Sequence, residues 1–457
     1  MDKKIIIRKL KSICFKTEKI SSQDFQYKYP KIWTGEEGAI FLEKDEALII
    51  NDIIKEIFSD PVIYQNFSVS DIEKELLGII TKVSKEQMNR REEKIKNEID
   101  DFLRALNSKI KEWVFIFPIE NLELKVRQLK LNDIILYRFT RYRANKYLKI
   151  IRNNLEQNPN YRNNRQFIDQ FINQIKSHNV SPLLGKTCSE IKTKGTLDGA
   201  RQRALRKLDL ILGFIKLYSP VDSVSAKSYF GLLGEIIPSK WRSILSYKTD
   251  RTEFHSRIER TGYLSTYEID KDKIKTMRKD GLRLLLDIEK KDNKTDLEAR
   301  ILNSILWYSK AFDTPIFRKI EDTRSQTDAS NIYEESEFFS LGDKFLKLIV
   351  SLECLLIFGR ENKRDNISRR SSYILTDSFD QRDKIQKYLK KAYDIRSKIV
   401  HGGGYVVSQA ETLKLMWHVK RVIINLIRFR NRWKIKTNED FYQWLEKNRL
   451  RDHRRSH

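Results

Sequence analysis

Along most of the chain, apolar positions recur at intervals of three and four with charged residues between them. This is the spacing of a helix with one buried face. Ile95, Ile99, Phe102, Leu103 and Leu106 follow it, and residues from about Ser70 to Lys111 predict one or two helices. The period then changes. Trp113 to Phe117 is a continuous apolar run closed by Pro118, and Glu123 to Gln128 and Asn132 to Phe139 read as two more short strands. A small antiparallel sheet is expected there. Upstream, the isoleucines of Lys4 to Arg8 suggest a strand, and Gly35 to Gly38 a turn. After Tyr142 the helical period returns. An Asn-rich loop, Asn158 to Asn164, interrupts it, and it resumes over Ala200, Ala204, Leu208, Leu212 and Ile215 until Pro220. From Val221 to about Asp292 the pattern is mixed.

The last third is more regular. Thr295 with Glu298 forms a capping box that opens a helix through Leu297, Ile301, Ile305, Tyr308 and Phe312. The acidic, polar stretch up to Ser340 suggests a loop. A second helix carries Phe345, Leu348, Ile349, Leu352, Leu356 and Phe358, a third covers about Ser368 to Leu375, and a fourth runs from about Gln381 to His401, stopped by Gly402 to Gly404. Ser408 with Glu411 is a second capping box, opening a fifth helix through Leu413, Met416, Ile423 and Ile427. Five helices with short connections suggest an antiparallel bundle. The expected fold is therefore mainly α, with a C-terminal antiparallel helical bundle preceded by an α+β region that holds a small sheet. The expected division is a helical region over 1–112, a middle region over 113–285, and the bundle with a basic tail over 286–457.

Charge adds a partner class. The chain carries 89 Lys and Arg against 63 Asp and Glu, a net charge of +26, and such an excess favours polyanions through counterion release. No acidic residue falls between Asp133 and Glu156. That stretch holds Arg138, Arg141, Arg143, Lys146, Lys149 and Arg152, interleaved with Tyr137, Phe139, Tyr142 and Tyr147. Cations for phosphate and rings for stacking make this a candidate RNA contact surface. A helix with its rings in the core and its cations in water gives the same pattern. The C-terminal Arg449, Arg451, Arg454 and Arg455 read as a mobile basic tail. No segment has the ~20 apolar residues that a membrane helix needs. Three cysteines, Cys14, Cys188 and Cys354, lie too far apart in sequence for a disulfide framework or a metal knuckle, which suggests a cytoplasmic protein without a metal or cofactor.

The segment Tyr393-Asp-Ile-Arg-Ser-Lys-Ile-Val-His401 carries the strongest chemical signal. The fork of Arg396 can clamp a phosphate, and the imidazole of His401 can move a proton near neutral pH. Together they suffice for metal-free RNA cleavage, in which the substrate's 2′-hydroxyl is the nucleophile. Residues five apart on a helix diverge by ~140°, so Arg396 and His401 share a site only if His401 leaves the helical path or a second copy contributes. The same two residues also suit a salt bridge and a helix-end histidine. Glu353 sits within an apolar helix face and needs a partner there, for which Arg370, Arg396 and His401 are the candidates.

Four segments, in order, resemble the HEPN superfamily of helical ribonuclease domains, most closely its Apea-like branch. They are Ile305 to Ala311, Phe345 to Ile357 with Glu353, Ser368 to Leu375 with Arg370, and Tyr393 to Gly403, which is similar to the R-x4-6-H motif. The resemblance covers roughly residues 290 to 430. It implies a dimeric, metal-independent endoribonuclease, of a kind common in bacterial antiphage defence, that acts on RNA (tRNA among the candidates) after a phage-derived trigger. It also implies that Arg396 and His401 are catalytic, with Glu353, Arg370 and Ser397 supporting the site. Asparagine is commoner at the position of Ser397. A non-catalytic RNA- or partner-binding bundle, and a DNA-binding regulator, are the competing expectations. Gly185-Lys186-Thr187 ends like a P-loop but has Val180 where the first glycine is required. Cys188 reads as structural, and His178, His255 and His418 are isolated.

Overall fold

The structure, a computed structural model, describes residues 2–13, 31–35, 38–42, 44–84, 86–221, 230–232, 240–248, 254–261, 267–312, 329–401 and 405–455. Gly402 to Gly404 lie outside the described residues. The chain forms two compact units. One takes in Met1–Phe115, Ile191–Arg206 and Ser246–Phe254, and the other Ile116–Glu190, Lys207–Leu245 and His255–His457.

The first unit begins with α1 (Lys3–Ile13), the hairpin of β1 (Lys31–Gly35) and β2 (Gly38–Leu42), and the helices α2 (Lys44–Ile57), α3 (Pro61–Asn66), α4 (Val69–Ser84) and α5 (Arg91–Lys109). Gly35 pairs with Gly38 across the hairpin, where a turn was expected. The strand expected at Lys4 to Arg8 is instead the start of α1. Ile6, Leu10 and Ile13 are buried four and three apart, and this helical stripe outweighs the local β preference of three isoleucines. With Ile53, Ile57, Ile72, Leu76, Ile80, Ile95 and Ile99 they make one apolar core.

The strands that follow are β3 (Lys111–Glu120), β4 (Leu122–Leu124), β5 (Gln128–Leu131) and β6 (Ile134–Arg138). Next come α6 (Arg141–Gln157), α7 (Arg165–Ile175), β7 (Thr187–Gly195), α8 (Leu197–Tyr218), and the strands β8 (Gly231–Leu232), β9 (Lys240–Lys248), β10 (Phe254–Thr261) and β11 (Tyr267–Ile269). Seven of them form one sheet in the order β10-β9-β3-β7-β6-β5, with β8 on β3. Strand β3 is buried from Trp113 to Ile119, so it runs through Pro118 rather than ending there. β5 and β6 pair antiparallel, Leu131 opposite Ile134. The positive φ of Asn132 makes their tight turn. The strand expected at Glu123 to Gln128 does not form as one: Glu123 and Leu124 end β4, which pairs parallel with β11 outside the main sheet, and Gln128 opens β5.

Helices α9 (Lys271–Lys279), α10 (Leu282–Lys290), α11 (Asp296–Lys310), α12 (Ala329–Leu356), α13 (Lys363–Leu375), α14 (Phe379–Val400), α15 (Gln409–Phe429) and α16 (Asn438–Arg455) complete the chain. The protein is mainly helical, as the sequence predicted. Both capping boxes form, at Thr295 and at Ser408. α11 packs on α12, α13 on α14, and α12 and α13 both on α15 or its neighbours, around Ile305, Tyr308, Phe345, Leu352, Leu415 and Val422. Ser351 donates to the Ser304 carbonyl at 2.7 Å, which joins α11 to α12 through two small buried residues. Two expectations fail here. Of the stretch expected to be a loop, 313–328 lies outside the described residues and 329–340 is helical, since from Ala329 to Ser340 there is no proline or glycine to stop a helix. The basic tail is helix α16, held by buried Phe441 and Leu445 and capped where the Lys436 and Thr437 N–H groups donate to Asp440.

Gly281, at the start of α10, has φ of +108°, and a Cβ there would stand 2.7 Å from Ile427 Cγ2. Gly281→Ala therefore combines backbone strain with a clash against α15 and should destabilise by about 2 kcal/mol, read as a lower urea midpoint at unchanged slope.

Candidate active site

Glu353 lies on α12, Lys363 opens α13, and Tyr393 and Arg396 lie one turn apart on α14. These four meet. Lys363 Nζ donates to Glu353 Oε2 at 2.8 Å, and Arg396 Nε stands 3.8 Å from Glu353 Oε1. Glu353 Oε1 is buried and accepts no hydrogen bond. The Arg396 guanidinium lies 5.6 Å from the Tyr393 ring centre. The hydrogen bond to Glu353 raises the pKa of Lys363 above its ordinary value. Burial, then the Glu353 charge, raises that of Tyr393.

Glu353 thus finds its partners in Lys363 and Arg396, not in Arg370 or His401. Arg370 is buried and donates to both Glu361 oxygens, with Nη2 at 2.8 Å, and to the Leu356 carbonyl. Glu361 also accepts from the Phe358 N–H at 2.7 Å and from Asn366 at 3.1 Å. Together these bonds close the turn from α12 to α13, which Gly359 helps to make at φ +99°. Arg364 then forks onto Asp394 at 2.6 and 2.8 Å, and Lys390 meets Asp365 at 2.9 Å, clipping the first turn of α13 to α14. Each of these carboxyls is held below its usual range. For Asp394 the main cause is the Arg364 bond, and for Asp365 the Lys390 bond; for Glu361, burial pulls upward but Arg370 and the Phe358 N–H outweigh it.

His401 caps α14. Its N–H donates to the Ser397 carbonyl at 3.0 Å, its ψ of 18° departs from the helix, and it is exposed. Ser397, half-buried, contributes this carbonyl. Sequence reasoning missed Lys363. Its signal was its position just after the Asn362 N-cap, where a helix start aims a side chain back toward the preceding element. Tyr393 was legible as the residue one turn before Arg396.

The basic stretch divides. Tyr137, Phe139 and Tyr147 are buried. Arg143 lies 3.5 Å from the Tyr137 ring centre and pairs with Glu190, and Arg152 pairs with Asp169 at 2.7 Å. Arg138, Arg141, Lys146 and Lys149 are exposed, as is Tyr142 at 79%. Among the described residues, the cations of the cluster without an acidic partner thus form a stripe on and beside the first turns of α6, where Arg138 Nε also donates to the Gly185 carbonyl at 3.3 Å. Cys188 is fully buried, and burial pushes its thiol far above the ordinary value, which removes it as a nucleophile. His418 is buried, with its Nδ1 at 2.8 Å from the Lys414 carbonyl. Among the described residues no three or more His, Cys, Asp or Glu side chains are grouped to hold a metal, and no helix is long and apolar enough to cross a membrane. No family model, curated protein or solved structure matches the chain.

Arg370→Met leaves Glu361 unpaired and should cost about 3 kcal/mol in urea denaturation. A carboxyl with a depressed pKa stabilises above its unfolded value and loses that stabilisation as pH falls through its folded value. The wild type should therefore lose stability on acidification more steeply than Arg370→Met.

Proposed function

We propose that the protein is a metal-independent endoribonuclease of HEPN type, acting as a triggered, toxin-like effector. The observation that carries this reading is the juxtaposition on α14. A half-buried arginine stands beside a carboxylate, and an exposed histidine caps the same helix five residues further on. In the proposed reaction His401 takes the proton from the RNA 2′-hydroxyl, whose oxygen attacks the adjacent phosphorus. Arg396 neutralises the charge that develops on the phosphoryl oxygens. The 5′-oxygen leaves with a proton from water, giving a 2′,3′-cyclic phosphate and a 5′-hydroxyl, and His401 then releases the proton it took to solvent. The exposed stripe of Arg138, Arg141, Tyr142, Lys146 and Lys149 would draw the strand in. A second copy joined through the bundle would bring a second Arg396 near His401, easing the ~140° divergence of the two positions. That divergence is also what favours the second reading, a bundle that binds RNA or a partner without cutting.

Arg396→Ala and His401→Ala should each slow cleavage of RNA by the purified protein about 10²-fold or more, and excess EDTA should leave the wild-type rate unchanged. Cleavage by both variants at the wild-type rate would eliminate the nuclease reading and leave the binding module.

A further inference from the structure

Among the described residues, the Arg396 side chain makes no hydrogen bond. Its nearest carboxylate oxygen, Glu353 Oε1, is 3.8 Å from Nε, beyond bonding range, and that oxygen accepts nothing. The guanidinium therefore holds its donors in reserve beside a carboxylate that it attracts but does not satisfy. Lys363 is bonded to the other oxygen of the same group, and its side chain stays 43% exposed. Two cations thus share one carboxylate, leaving a local excess of +1. The acids nearby do not cancel it. Asp394 is taken by Arg364, Asp365 by Lys390, and Glu361 by Arg370.

We propose that Lys363 and Arg396 form a phosphate site, and that Glu353 stands in for the phosphate until a phosphodiester displaces it. The carboxylate offsets the repulsion of the two cations and keeps them together in the empty site. A phosphodiester offers two non-bridging oxygens that can accept from the arginine fork and the lysine together, which Glu353, 3.8 Å from Arg396 Nε, does not. Tyr393 lies beside both groups, its ring 5.6 Å from the Arg396 guanidinium and its hydroxyl turned to the Glu353 carboxylate. Naming the phosphodiester as RNA rests on the nuclease reading; anion binding does not. A purely structural ion pair differs at Lys363, where loss of the charge would leave affinity and salt slope unchanged; loss of the Glu353 charge favours anion binding under either reading.

Anisotropy of the full chain with a 2′-O-methyl RNA oligonucleotide, which cannot be cleaved by 2′-hydroxyl attack, tests this across a salt series. Lys363→Gln should weaken binding about tenfold for every sequence and lower the salt slope by about 1, and Lys363→Arg should restore most of both. Glu353→Gln should bind several-fold tighter than wild type. Wild-type affinity and slope in Lys363→Gln, or a folded Glu353→Gln that binds no tighter, would overturn the proposal. Should Glu353→Gln fail to fold, the Lys363 pair decides alone. These binding shifts together with unimpaired cleavage by His401→Ala would sink the nuclease reading and leave the phosphate site standing.

Discussion

A buried guanidinium seeks partners on several sides at once, and the bonds made by the two terminal nitrogens of Arg370, its Nε remaining without one among the described residues, organise the C-terminal helices. Its fork on Glu361 and its bond to the Leu356 carbonyl tie the end of α12 to the middle of α13. Glu361 can serve only by folding back under the Phe358 N–H, and this fixes the turn between the two helices. Because that turn is fixed, Lys363 emerges beside Glu353, and Arg364 and Asp365 reach their partners on α14. One desolvation constraint thus propagates into the placement of Lys363, Glu353 and Arg396. Losing it would loosen the site before touching any residue in it.

Helix faces with sustained 3–4 spacing were legible, as were both capping boxes, because burial of one stripe and satisfaction of terminal N–H groups are local in sequence. Three isoleucines in α1 misled because β-branching is a weak preference and a stripe over eleven residues is a strong one. Segment 329–340 misled for the converse reason. Polarity suggested a loop, but nothing in the segment breaks a helix. Strands β7 and β9 were not anticipated, since their pairing with β3 depends on a partner distant in the chain, and β10 joins the sheet only through β9.

The site divides along the same line. Arg396, His401 and Glu353 could be singled out because each is costly or reactive where it stands. Which acid meets which base could not be read, since the partner of Arg370 is decided by a turn whose geometry emerges only on folding. The basic stretch shows how charge counting overreaches. Arg143 and Arg152 are neutralised and three of its four rings lie in the core, so the +26 of the chain narrows here to four exposed cations around Tyr142.

The central claim is that α14 carries a pair of residues that cut RNA through its own 2′-hydroxyl. Sequencing RNA ends by a method selective for 2′,3′-cyclic phosphates, after expression of wild type and of His401→Ala, tests it most directly. The account predicts discrete new cyclic-phosphate ends in the wild type, with matching 5′-hydroxyl ends, and their absence in His401→Ala. Identical end profiles in the two would contradict it.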